Sequence, residues 1–310
     1  MPKLTMKAIR AHDYGDANVL VFEQAPRPEP KADEVLIRIK AAGVNPADWK
    51  YRSGVYKQFM PLQFPWTPGL DGSGTIESVG ANVTAFKKGD EVYGIVTSSY
   101  AEYAVAKANE IQRKPASLTF EEAASLPVGA LTAWGALMDS AKIEAGQRVL
   151  VHGAAGGVGA SVVQLARWKG AHVIGTASTR NVEFVRSLGA ENVIDYSATR
   201  FETVVHDLDV VIDTVGGDIA ERSFQILRPG GIYVTIAGRL TEDAGKAQKI
   251  TALSGRRAPA ENLKQISELI EAKQLKPLTG AVFPLAEARQ AHELSQTGHG
   301  RGRIILHVAD

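Results

Sequence analysis

Between residues 148 and 237, short apolar runs alternate with helical stretches, and this rhythm leaves the chain few architectures. Strands are expected over 148–151, 171–176, 192–195, 208–213 and 231–237. Helices are expected over 160–168, 181–188 and 219–227, the last stopped by Arg228-Pro229-Gly230. Strands that are apolar along their whole length are buried on both faces. Alternation with helices then gives a parallel sheet with right-handed crossovers. A strand-like run over 250–253 is placed to complete that sheet.

The first crossover carries the most informative local sequence, Val149-Leu150-Val151-His152-Gly153-Ala154-Ala155-Gly156-Gly157-Val158-Gly159. A buried strand runs into a turn of small residues that opens a helix. Small residues let the backbone approach a pyrophosphate, and the helix N-terminus offers N–H donors and the positive end of its dipole. The first glycine of the general fingerprint is Ala154 here, so the position between strand and helix carries more weight than the spacing. The competing reading is a tight strand-to-helix turn and nothing more. A site selective for NAD usually places an acid about 20 residues further on, against the ribose 2′-hydroxyl. This chain reads Gly175-Thr176-Ala177-Ser178-Thr179-Arg180-Asn181, with no acid before Glu183. Hydroxyls and a guanidinium suit a 2′-phosphate, so the local sequence favours NADPH, with Ser178, Thr179 and Arg180 as its readers. Otherwise Arg180 simply begins a helix in solvent.

The ends of the chain are written differently. Alternating runs over 35–40, 74–80 and 91–96 read as half-buried strands, and 25–34 is a Pro-rich connection. A helix with acidic early turns is expected from 118. After a small, polar stretch to residue 248, a helix over 260–271 and strands over 280–283 and 303–308 resume the style of the first half. The fold class expected is α/β: a doubly wound nucleotide-binding domain, 125–255, inserted into a mostly β domain made of 1–124 and 256–310.

Composition removes several alternatives. The 310 residues include 35 basic and 34 acidic side chains, a formal charge of +1, so no large field steers nucleic acid or an anionic membrane to the surface. No cysteine is present, which excludes disulfides, thiolate nucleophiles and cysteine-built zinc sites. The opening MPKLTMKAIR has no apolar signal region, and no run of about 18 apolar residues is found, so neither export nor a membrane span is expected. The cytoplasm is the expected compartment.

Several segments taken together resemble the medium-chain dehydrogenase/reductase superfamily, in particular its zinc-free quinone oxidoreductase (zeta-crystallin-like) branch. They are AAGVNPADWKYRSG (41–54), PGLDGSGTIESVGANVTAFKKGDEVYG (68–94), AASLPVGALTAWGAL (123–137), VLVHGAAGGVGASVVQLAR (149–167), LGAENVIDY (188–196), DVVIDTVGG (209–217) and GRGRIILHV (300–308). Alkenal/enone reductases of the same superfamily are similar too. The resemblance implies a GroES-like catalytic domain, a Rossmann domain, NADPH as cofactor and a homodimer, or a tetramer of dimers, joined through edge strands. It also implies that Ala155, Gly156, Gly157 and Val158 meet the pyrophosphate and that Ser178, Thr179, Arg180 and Tyr196 surround the 2′-phosphate. Thr132 is then expected at the nicotinamide, Val215 and Ala237 along the dinucleotide crevice, and Arg303 within reach of the cofactor.

Where zinc-dependent relatives hold their catalytic metal, this sequence has Asn45, Leu70 and Asp71, and the cysteine-rich structural loop is missing. No metal is expected. Asn45, Lys50 and Tyr56 become the polar groups for substrate, either a quinone or an α,β-unsaturated carbonyl compound. Lys50 stands where the quinone branch typically carries Tyr, which leaves reduction of an activated C=C bond open beside quinone reduction. Asp48 is as readily structural as catalytic. A non-catalytic crystallin-like or RNA-binding protein is the reading from another class, and the near-neutral charge argues against it.

Overall fold

The computed structural model describes residues 4–238, 240–298 and 300–310, and every structural statement below refers to those residues. The chain divides into two units. One contains the residues up to Val128 with Ala260–Glu271 and Pro277–Asp310, and the other contains Gly129–Pro259 with Ala272–Lys276.

The first unit starts with an antiparallel pair, β1 (Thr5–Ala11) and β2 (Leu20–Pro26), that the sequence reading did not anticipate. Strand β3 (Glu34–Val44) is the hub of the main sheet. It pairs antiparallel with β4 (Asp71–Val79), which continues to β5 (Glu91–Ile95). It also pairs with β6 (Tyr103–Lys107), and β7 (Ile111–Arg113) lies against β5. Val35, Ile37 and Ile39 alternate inward along β3 and pack on Ile76, Val92, Val96 and Ile111. Their burial is what holds the sheet face closed.

Helix α1 (Pro46–Arg52) leaves β3 at once, with Pro46 in its first turn, where a missing N–H costs nothing. Helix α2 (Phe120–Ala124) starts two residues later than expected. Thr119 caps it, accepting from the Glu122 N–H at 3.2 Å, while the Glu122 carboxylate accepts from the Thr119 N–H at 2.9 Å. Helix α3 (Pro127–Trp134) follows and runs on as a π-helical segment, Gly135–Ala141, ended by Lys142 in the left-handed region. Gly135 is obligatory there, since a Cβ would collide with the Arg256 carbonyl oxygen.

In the second unit β8 (Arg148–His152), α4 (Gly159–Trp168), β9 (His172–Ala177), α5 (Val182–Ser187), β10 (Asn192–Asp195), β11 (Leu208–Asp213) and α6 (Ile219–Phe224) succeed one another. Strand β12 (Leu227–Thr235) and β13 (Thr251–Ser254) complete a parallel sheet of order β10-β9-β8-β11-β12-β13. This is the doubly wound order, reversing direction between β8 and β11. One expectation needs correction. The helix expected over 219–227 ends at Phe224, and Pro229-Gly230 lies inside β12 instead of stopping a helix. Pro229 has no N–H to give a ladder, and the pairing with β11 jumps from Leu208↔Leu227 to Val210↔Ile232 to pass it.

The chain returns to the first unit with α7 (Leu263–Glu271), preceded by a 3-10 turn at Ala260–Asn262 where a continuous helix was expected. Then come β14 (Thr279–Pro284), α8 (Ala288–Gln296) and β15 (Arg303–His307), of which α8 was not foreseen. Strand β15 pairs antiparallel with β3 and parallel with β14, giving the order β14-β15-β3-β4-β5-β7. Arg52, at the end of α1, is fully buried and ties that helix to α8. Its guanidinium meets His292 Nδ1 at 3.1 Å and donates to Gln296 Oε1 at 2.9 Å and the Gly15 carbonyl at 3.3 Å.

Candidate functional site

In the parallel-sheet unit the site is built where the strand order reverses. Strand β8 ends at His152, and Gly153, at φ 68°, turns the chain into the small-residue loop. A Cβ on Gly159 would strike the Gly153 carbonyl oxygen, so helix α4 starts tight against the turn only because that residue is glycine. Gly156 is different: beside its own neighbours it meets only the Gly153 oxygen, at 3.4 Å from an ideal Cβ. Its backbone, with Gly157 and Val158, lies partly open between the buried Ala155 and Gly159. Val158 caps α4 with no side-chain hydrogen bond, so no side chain blocks the positive end of the helix dipole, although the Ala160 N–H already donates to the Gly156 carbonyl at 2.9 Å. The residues present fit a dinucleotide pyrophosphate.

Asp213, fully buried at the end of β11, organises the opposite lip. One carboxylate oxygen accepts from the N–H groups of Val215 and Gly216, at 2.8 and 3.0 Å. The other accepts from Tyr233 Oη at 2.6 Å and Thr235 Oγ1 at 3.2 Å. Thr214 Oγ1 donates to the His152 carbonyl at 2.8 Å, which closes this loop onto the glycine turn. Gly216 in turn rests against Ala237. The expected residues Ala155–Val158, Val215 and Ala237 therefore converge. His152 is buried beneath them, between Ser223 Oγ at 3.1 Å and Thr176 Oγ1 at 3.3 Å, and burial holds its pKa well below the usual histidine value.

A second group gathers at the ends of β9 and β10. The Tyr196 N–H donates to the Ala177 carbonyl at 3.1 Å, which brings Tyr196, 53% exposed, beside Ser178, Thr179 and Arg180. Thr179 departs from expectation. Its hydroxyl hydrogen-bonds the Asp195 carboxylate, so its one proton is already committed. Thr132 is half-buried on α3.

In the other unit the register of three strands creates a buried polar centre. Gly43 of β3 pairs with Asp71, and the adjacent Val44 pairs with Ile304. Asp71, Arg303 and Asn45, the next residue after β3, must then meet. Arg303 donates to an Asp71 oxygen in an ion pair and to Asn45 Oδ1 at 2.8 Å, and Asn45 Nδ2 donates to the same Asp71 oxygen at 2.8 Å. The other Asp71 oxygen accepts from the Val128 N–H at 2.6 Å. Asp48 lies next to this group, accepting from the Asn45 N–H at 2.8 Å and Tyr100 Oη at 3.0 Å. Burial, opposed by those two donors, pushes its carboxyl up to about 7.

Two of the expected site residues are buried in this group. Asn45, 2% exposed, spans Asp71 and Arg303 with its side-chain amide. Arg303, 5% exposed, directs one guanidinium nitrogen to the ion pair with Asp71 and to Asn45. Lys50 and Tyr56 do come together, on one turn closed by the Val55 N–H to the Lys50 carbonyl at 3.1 Å. Both are half-buried. Lys50 Nζ stands 5.5 Å from the Trp49 ring centre, and the Tyr56 ring lies 5.2 Å from that of Tyr51. Sequence reading missed Asp213, Asp195, Tyr100 and the Asp71–Arg303 pair. Only the Asn45/Asp48 spacing, N-cap to third helical position, carried a local signal.

Residues 31–116 match the family model described as an alcohol dehydrogenase GroES-like domain, and 188–306 that described as a zinc-binding dehydrogenase. A quinone oxidoreductase of Mus musculus is 36% identical over 324 aligned positions, spanning 97% of each chain. The chain belongs to the medium-chain dehydrogenase/reductase superfamily. A 2-methylene-furan-3-one reductase of Solanum lycopersicum is 35% identical over 97% of this chain and 79% of its own. Among solved structures, the quinone oxidoreductase of Coxiella burnetii superposes with a TM-score of 0.91 at 35% identity, covering 99% of this chain and all of that one (100%). The superfamily is one of oxidoreductases that use a nicotinamide cofactor, which agrees with the glycine turn. A zinc ion does not fit as well. Leu70 offers no donor, a guanidinium occupies the Asp71 carboxylate, and among the described residues no group of three or more His, Cys, Asp or Glu is placed to hold a metal.

The Asp48 environment makes a pH prediction. A carboxyl whose folded pKa is raised stabilises the fold below its unfolded value, near 3.8, and loses that contribution as pH rises toward 7. Asp48→Asn keeps an acceptor but cannot ionise. Its Tm is expected to gain on the wild type by about 4–8 °C between pH 4.5 and 7.5, with the difference flat above that. Parallel Tm curves for the two proteins would show that Asp48 does not titrate in this range.

Proposed function

We propose that this chain is an NADPH-dependent, zinc-independent oxidoreductase that passes hydride to a quinone. The observation that carries the reading is the Asp71–Arg303–Asn45 cluster: Asp71, which the resemblance aligns with a metal ligand of zinc-dependent relatives, is here ion-paired with Arg303 and hydrogen-bonded by Asn45. An enzyme without a Lewis acid suits an acceptor that is electrophilic in itself, and a quinone is one. Likeness along 97% of both chains to proteins described as quinone oxidoreductases supports the same acceptor class.

A bound nicotinamide nucleotide supplies the hydride. The chain's own part is positioning and electrostatics. Gly156, Gly157, Val158 and the α4 N-terminus hold the pyrophosphate, and the Val215 and Ala237 loops line the dinucleotide crevice. Thr132 borders the nicotinamide, and Ser178, Arg180 and Tyr196 read the 2′-phosphate. Lys50 and Tyr56 place donors where negative charge develops on the acceptor oxygen, and solvent supplies the proton. Asn45, Asp48 and Arg303 keep the root of α1 fixed beneath them. The same reading places the enzyme in the cytoplasm as a homodimer, or a tetramer of dimers, joined through edge strands of the parallel sheet, whose two edges are β10 and β13. No described helix is long and apolar enough to cross a membrane.

A second reading, NADPH-dependent reduction of the C=C bond of an enone or alkenal, is favoured by Lys50, whose ammonium can stabilise an enolate oxygen. The relative described as a 2-methylene-furan-3-one reductase supports it. The deciding experiment is NADPH consumption against a panel of quinones and 2-alkenals. Quinones are expected to exceed alkenals in kcat/KM, with Lys50→Ala costing alkenals more than quinones and Tyr56→Phe costing both about tenfold or more. A panel in which only alkenals turn over would replace the first reading with the second.

Arg180→Ala is expected to weaken NADPH about tenfold or more, since a charge-assisted contact to phosphate contributes roughly 1.5–3 kcal/mol, and to leave NADH nearly unchanged. Equal losses for both nucleotides would remove Arg180 from phosphate recognition. Dialysis against a strong chelator is expected to leave the rate intact. A loss reversed by stoichiometric zinc would overturn the zinc-independent assignment.

A further inference from the structure

Read along the chain, the 2′-phosphate end of the nucleotide site contains no acid, but the fold supplies one from the neighbouring strand. Strand β10 pairs parallel with β9 in a register that sets Asp195 against Ala177, the last residue before Ser178 and Thr179. Asp195 ends β10, immediately before Tyr196. Its carboxylate is fixed by two donors, the Ser197 N–H at 2.9 Å and the Thr179 hydroxyl. The Thr179 bond first, and then the Ser197 N–H, hold the carboxyl below the usual aspartate range, so it is ionised at neutral pH.

Ser178 is arranged the other way. Its oxygen accepts from Asn181 Nδ2 at 3.3 Å, which leaves its own proton free to donate. Asn181 is 7% exposed, so that donor is held in place. Of the two adjacent hydroxyls, one faces a carboxylate with its proton and the other keeps its proton for a ligand.

We propose that Asp195 determines nucleotide selectivity at this end of the site: it withdraws the Thr179 proton from phosphate recognition, and its negative charge weakens NADPH relative to NADH. The inference rests on the assignment of Ser178, Arg180 and Tyr196 to the 2′-phosphate. A 2′-phosphate carries a charge of about −1.5 to −2 at neutral pH, so a fixed carboxylate nearby opposes it while leaving a 2′-hydroxyl almost untouched.

The test is Asp195→Asn, which removes the charge, keeps one oxygen to accept from Ser197 and Thr179, and exchanges the other oxygen for an amide NH2. Dissociation constants for NADPH and NADH are measured by fluorescence titration of the nucleotide-free protein, at low and high salt. NADPH is expected to tighten about three- to tenfold and NADH to change less than twofold, with the gain shrinking at high salt. A merely structural Asp195 would move both nucleotides alike, or neither, and an unchanged ratio of the two constants overturns the inference. The outcome is separable from the NADPH assignment itself. A wild type that binds both nucleotides equally, and an Arg180→Ala variant that weakens both equally, would overturn that assignment. A selective gain for NADPH in Asp195→Asn would still support the role of Asp195.

Discussion

The buried pair of Arg303 and Asp71 connects parts of the chain that lie 232 residues apart in sequence. Charges taken out of water are costly, and a buried pair is often no more stabilising than apolar residues of the same volume. What it adds here is alignment. Asp71 begins β4, Arg303 begins β15, and Asn45 bridges them at the point where β3 gives way to α1. Removing either charge would leave the other stranded in the interior, a change that typically costs about 3–5 kcal/mol. The three elements are therefore fixed together, and α1 projects Lys50 and the turn bearing Tyr56 from a rigid root. Gly43 has no room for a side chain, because a Cβ there would come within 2.9 Å of Asp71 Oδ2.

A second layer of buried polar groups supports the first. Asp48 joins Asn45 to Tyr100, whose ring lies 5.7 Å from that of His292, and His292 in turn faces Arg52. Burial and the Arg52 charge keep His292 neutral, with its pKa pulled down to about 3. Both ends of α1 are thus held by side-chain hydrogen bonds within one unit. In the parallel-sheet unit Asp213 has the comparable task, ordering the Val215 loop through backbone N–H groups and bracing itself on Tyr233 and Thr235. In both units a buried carboxylate sets the geometry of residues proposed to bind substrate or cofactor.

Much of this was readable before any coordinates. The alternation from residue 148 gave the parallel sheet because buried strands and amphipathic helices leave their periods in sequence. The glycine turn was readable because a Cβ at Gly159 has nowhere to go. Helix α8 is not legible because no side chain caps it, and the β1–β2 pair is not expected although Asp13, Gly15 and Asp16 mark its turn; Pro229-Gly230 reads as a stop, yet a register jump lets β12 carry it. The polar side chains expected at the site are legible by type and by segment. Their partners were not legible, because a hydrogen-bond partner is chosen by register and not by spacing along the chain.

Sequence alone determined the class of fold, the dinucleotide turn and the absence of thiol chemistry, because glycine, proline, hydrophobic period and composition act locally. Tertiary structure decided which polar residues are free to act. It placed Arg303 and Asn45 in the interior, gave the Thr179 proton to Asp195 and left Ser178 with its own. The physical reason is that a donor has a fixed number of protons and a buried charge must find its counterpart. Only the folded chain brings those counterparts within 3 Å of one another.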